Sequence, residues 1–109
     1  MGDIVHLNWS PQAGNEMAQN HFGVILSVEK FNKLIPRIVV APITSKEHPE
    51  FGGLRIPVQT NNISTSGYIC MDHIRTIDPL KRNLQQQNDS LTPQTISLVK
   101  SCLKKIFGF

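Results

Sequence analysis

The sequence predicts a mostly β fold with some α: a small, strongly bent sheet or barrel whose open side is covered by a C-terminal helix. Three observations carry this prediction. Short runs rich in β-branched residues, among them DIVHLNW and RIVVAPI, recur along most of the chain. Gly, Pro and Asn interrupt those runs at short intervals. Only the tail changes character, with apolar residues at three- and four-residue steps after a Thr-Pro pair.

Residues 3–9, DIVHLNW, place Val5, Leu7 and Trp9 toward one side and Ile4, His6 and Asn8 toward the other, the period of a half-buried strand that Pro11 ends. FGVILSVEKF (22–31) and RIVVAPI (37–43) read as adjacent strands joined by NKLIP, where Asn32 and Pro36 favour a turn. TSKEHPEFGG (44–53) is polar and broken by Pro49, Gly52 and Gly53, so it reads as a surface loop before the short strand LRIPVQ (54–59). SGYICMDHIRTID (66–78) resumes as strand with room for a bulge, and Pro79 stops it. Thr92 as cap and Pro93 in the first turn open a helix over about 92–107, with Ile96, Val99, Leu103 and Ile106 as its apolar stripe. Its lysines, Lys100, Lys104 and Lys105, read as a solvated face. The expectation is five or six strands and one helix in a single domain, 1–109.

Composition narrows the function classes. No apolar run approaches the roughly 20 residues of a membrane span, and MGDIVHLNW lacks the charged start and long apolar core of a secretory signal. A cytoplasmic protein without a membrane partner is expected. Cys70 and Cys102 have neither zinc nor redox spacing and read as reduced thiols rather than a disulfide. No His, Cys and Asp stand at metal-ligand spacing, so no metal or other cofactor is expected. The net charge of +3 and pI near 9.1 lean toward polyanionic partners, though much of the excess lies in the last helix.

One loop is longer than a hairpin requires. In SPQAGNEMAQNHFGVILS (10–27) a Pro, a Gly, an acid, an amide run and a His precede an apolar strand, where two to five connecting residues suffice. GDIV at the start, Pro11 with GNE at 14–16, VILS, VVAPITS and SGYICMDHIRTID follow one another between Gly2 and about Arg82. In these blocks the chain resembles the MazF/PemK (Kid) family of toxins from bacterial type II toxin-antitoxin pairs. The resemblance implies an SH3-like β barrel of the CcdB/PemK kind over about 2–82, closed by the C-terminal helix. It further implies a homodimer acting as a metal-independent endoribonuclease on single-stranded RNA, and a cognate antitoxin that silences it. The residues it marks as catalytic are His21, Thr44, Asp72 and Glu16. Asn15, Gln19, Ser45, His73 and Arg75 are marked as RNA-binding.

The departures from the family matter equally. Relatives commonly carry Arg-Pro where this chain has His21 and Phe22, and PemK-like members carry a His at the position of Asn15 and an Arg at that of Cys70. Two function readings stay open. Either His21 inherits the arginine's work in RNA cleavage, or the protein is a weakened or inactive member that binds RNA without cutting, or a protein target such as gyrase. Arg55 or Lys46 folding over the cleft would separate them. Base choice would fall to stacking residues such as Phe22, Phe51 or Tyr68. Each residue also has an ordinary reading: His21 a surface histidine, Thr44 and Ser45 strand-end hydroxyls, Glu16 a solvated acid, Asp72 and His73 a structural pair. Arg75 reads best as a pin on the next turn, paired with Asp78. His6 and His48 carry no motif.

Overall fold

Alternating apolar residues make strands here, and the sheet they form is apolar on both faces. The computed structural model describes residues 1–9 and 20–109. Its strands are β1 (Asp3–Asn8), β2 (Asn20–Ile25), β3 (Ile38–Thr44), β4 (Arg55–Pro57), β5 (Tyr68–Cys70), β6 (Arg75–Ile77) and β7 (Gln85–Ser90). A one-turn helix α1 (Glu29–Asn32) lies between β2 and β3, and α2 (Pro93–Phe107) ends the chain. All strand pairings are antiparallel, in the order β4-β5-β3-β2-β1-β7, with β6 also on β3. Past the two edge strands, a bridge between Thr60 and Leu91 ties the ends of the path together and bends the sheet.

One face carries Ile4, Val24, Ala41, Ile43, Ile56 and Ile69, covered by α2 through Val99 and Cys102. The other gathers Val5, Leu7, Trp9, Ile25, Ile38, Val40 and Ile77. The split of β1 residues between two sides is as expected, and both sides have a core. Trp9 packs against Gly23, where an added Cβ would stand 2.7 Å from the indole. Thr92 caps α2 by accepting from the Thr95 amide, Pro93 fills the first turn, and Gly108 closes the helix at φ 76°.

Four sequence expectations are corrected. Among the described residues there are seven strands, not five or six. The strand expected over 22–31 stops at Ile25, because Glu29–Asn32 coils into α1, aided by the Lys33–Glu29 ion pair one turn apart. The strand expected over 66–78 is split into β5 and β6 by a 3-10 turn at Met71–His73, at the bulge foreseen there. On α2 the predicted stripe holds at Val99, Ile96 and Leu103, but Thr95 and Cys102 join the core face and Ile106 is 40 % exposed. Cys70 and Cys102 are both buried free thiols.

Candidate functional site

Cross-strand register decides which side chains share a surface, since paired residues project to the same face and the projection alternates along each strand. Leu7 pairs with His21, and Gly23 with Pro42. His21 and Thr44 each lie two residues beyond the Gly23–Pro42 pair, so they share the face of Leu7. Thr44 in turn pairs with Tyr68, Cys70 with Arg55, and Val40 with Arg75. That face therefore carries His21, Thr44, Arg55, Cys70 and Arg75.

Gly67 brings the chain close at this point: at φ 125° it approaches Thr44 so tightly that a Cβ would sit 2.5 Å from the Thr44 carbonyl oxygen. From Thr44 a chain of contacts runs outward. The Lys46 amide donates to Thr44 Oγ1 at 3.3 Å, and Arg55 Nη1 donates to the Lys46 carbonyl at 3.4 Å. Arg55 then grips Asp72 with both branches of its fork, Nε to Oδ1 at 2.9 Å and Nη2 to Oδ2 at 3.2 Å. His73 Nε2 faces the same Oδ2 at 3.3 Å.

The Arg55 side chain is only 9 % exposed and that of Asp72 22 %. The Phe51 ring lies 5.3 Å from the guanidinium carbon, and His48 stacks on Phe51 at 4.5 Å while its Nδ1 meets Glu50 Oε2 at 2.9 Å. Partial burial works against the Asp72 charge. The bond and charge of Arg55, a backbone hydrogen bond and His73 together outweigh it, and the carboxyl sits below its usual range. The bond to Asp72 raises the Arg55 pKa, and burial pushes the Cys70 thiol up to about 11, so it stays neutral.

A second group surrounds Trp9. Its Nε1 donates to the His21 carbonyl at 3.2 Å, and Arg75 Nη1 donates to the Trp9 carbonyl at 3.2 Å with the guanidinium over the indole at 5.9 Å. Arg75 thus serves the Trp9 segment, and Asp78 is met instead by Arg37 at 3.5 Å. The His21 imidazole is partly exposed, its Nδ1 3.3 Å from the Phe22 carbonyl. Phe22 in turn meets His6 edge-on at 4.9 Å on the opposite face.

Of the residues marked in the sequence, Thr44, Asp72 and His73 are joined by this network and His21 shares their face. Ser45 is exposed just beyond Thr44. Asn15, Glu16 and Gln19 lie outside the described residues. Arg55 is committed to Asp72 rather than spread over a cleft. His48, which no motif marks, belongs to the same cluster through Phe51. Among the described residues no three His, Cys, Asp or Glu side chains are grouped to hold a metal ion. Nor is any described helix long and apolar enough to cross a membrane.

No curated protein sequence matches the chain. Solved structures do. MazF from Deinococcus radiodurans superposes with a TM-score of 0.82 at 24 % identity, over 99 % of this chain and 94 % of that one. The MazE-MazF complex from the same organism gives 0.80 at 23 % identity, with 99 % and 94 % covered. An endoribonuclease bound to its cognate antitoxin from a mycobacterial species gives 0.70 at 15 %, with 99 % and 91 % covered. The fold is therefore that of MazF. Residues 1–107 match the model of the PemK-like, MazF-like toxins of type II toxin-antitoxin systems, and the chain belongs to that family.

Proposed function

We propose that the protein cleaves single-stranded RNA without a metal, by attack of a ribose 2′-hydroxyl on its neighbouring phosphate. The observation that carries this reading is the common sheet face of His21 and Thr44. Thr44 and Ser45 hold phosphate oxygens, and protonated His21 offsets the charge gathering on phosphorus and protonates the departing 5′ oxygen. Asp72 orients its neighbours. Asn15, Glu16, Gln19 and Arg75 act on the RNA beside them.

Cleavage of a single-stranded RNA oligonucleotide should persist in EDTA. His21→Ala should lower the rate about a hundredfold, the usual worth of a general acid or charge-stabilising donor. His21→Arg should keep or raise the rate and remove the fall at high pH, because guanidinium stays charged where imidazole does not. If both variants cleave like the parent, His21 is an ordinary strand residue.

One observation favours a second reading, in which the protein binds without cutting. Both arginines of the site face are engaged, Arg55 with Asp72 and Arg75 with the Trp9 carbonyl. A folded parent that binds RNA but never cleaves it would favour that reading. As partners we propose a cognate antitoxin, whose extended acidic segment competes with RNA, and a second copy of the chain. The exposed Leu98, Phe107 and Phe109 around α2 are apolar surface that a homodimer would cover, and a monomer at micromolar concentration in sedimentation would refute it.

A further inference from the structure

Attack by a 2′-hydroxyl needs a group to take its proton as well as one to give a proton to the leaving oxygen. His21 supplies the second, and Asp72 is poorly suited to the first. Its lone pairs already face Arg55 Nε, Arg55 Nη2 and His73 Nε2, at 2.9, 3.2 and 3.3 Å. A carboxylate so occupied orients what it touches. The imidazole it touches is His73, whose side chain is 34 % exposed and so open to a substrate.

Resting on the ribonuclease reading above, we propose that His73 is the general base of the reaction and that Arg55 is a positioning residue acting on it through Asp72. Asp72 favours the tautomer with the proton on Nε2, which leaves the Nδ1 lone pair for the substrate. His73 Nδ1 takes the 2′-hydroxyl proton as the 2′ oxygen bonds to phosphorus. The bond from phosphorus to the 5′ oxygen then breaks, and that oxygen takes the His21 proton. The products are a 2′,3′-cyclic phosphate and a 5′-hydroxyl; solvent returns both imidazoles to their starting states.

The charges around His73 explain why the arginine matters. Without Arg55, the Asp72 carboxylate would favour the charged form of the imidazole. Arg55, from β4, cancels that carboxylate while keeping it in place. Cys70, opposite Arg55 on β5, stays neutral. The Glu50 carboxylate in the 49–51 turn is met by His48, and Lys46 reaches the group through its backbone carbonyl.

The test is the pH dependence of single-stranded RNA cleavage, with the His73 ring-proton titration followed by NMR without RNA. The parent should lose rate at both pH extremes. His73→Ala should cost about a hundredfold and remove the acid limb. Arg55→Ala should move the acid limb and the His73 titration to higher pH, and Arg55→Lys, which keeps the cation, should move both much less. A purely structural Arg55 would lower the rate with the limb unmoved, overturning its positioning role. A His73→Ala variant with parental rate and profile overturns the general-base assignment and the Arg55 role with it, leaving the ribonuclease reading intact. A parent that cleaves no RNA overturns the ribonuclease reading and this role with it.

Discussion

The two corners of the site are built from different physics. Around Asp72, a nearly buried guanidinium, a carboxylate and an imidazole fix one another, with Phe51 and His48 stacked above. Around His21, the fixed element is Trp9, 1 % exposed, which grips the His21 backbone and leaves the imidazole partly in solvent. The first corner is held by charges that would each be costly to leave alone. The second is held by packing, and its polar tip is not part of what holds it. The second corner leaves its imidazole apart from the residues that hold the fold, whereas the first orients its imidazole, His73, through the same ion pair that holds the corner together.

The largest expected effect breaks the packed corner. Trp9→Ala removes the biggest buried side chain of its cluster and opens the space over Gly23. It should cost about 3–5 kcal/mol in urea unfolding, in line with other buried aromatic truncations. A loss below about 1 kcal/mol would mean that Trp9 is not what anchors His21 and Arg75.

Next comes the ionic corner. Arg55→Ala leaves the partly buried Asp72 carboxylate without its main partner and should cost about 1–3 kcal/mol. The double variant Arg55→Ala with Asp72→Asn should recover part of that loss, since no uncompensated charge remains. The pH dependence has a definite sign. The folded Asp72 pKa is lowered, so the pair's contribution is complete above the carboxylate's unfolded value and disappears as pH falls through the folded one. Parent and double variant should therefore converge in stability in acid and differ most near neutrality. Parallel stability curves across that range would show that the pair contributes nothing through Asp72's charge.

This contrast also sets what the sequence could disclose. β1 and β3 were legible because their apolar residues alternate or run together, and α2 because its cap and spacing both announce it. β7, QQQNDS, was not, since the group it turns inward is a carboxylate: Asp89 accepts from the amides of Asn62, Ser64 and Ser90 and from the Ser64 hydroxyl. That side chain fastens the turn after Thr60 to the sheet, a job that hydrophobic patterning does not register. α1 was hidden because no Gly or Pro separates the run VILSV from EKF. Thr44 and Asp72 were legible as motif positions. The Arg55–Asp72 pair was not, because its members are 17 residues apart and meet only through the β4–β5 register.

The smallest expected effect sharpens the comparison most. His21 pairs with Leu7 through the backbone of β2, and its carbonyl, not its ring, receives the Trp9 indole N–H. The ring's own contact is a 3.3 Å approach to the neighbouring Phe22 carbonyl. Removing the ring should therefore change stability by no more than about 0.5 kcal/mol, as for surface substitutions away from caps, cores and ion pairs. The same His21→Ala protein should still lose most of its cleavage rate. A variant that unfolds as easily as Arg55→Ala would place His21 among the residues that hold the fold, and its lost activity would then say nothing about proton transfer. An unchanged unfolding midpoint beside a collapsed rate would show that at this corner the proton carrier and the residues that hold the fold are separate.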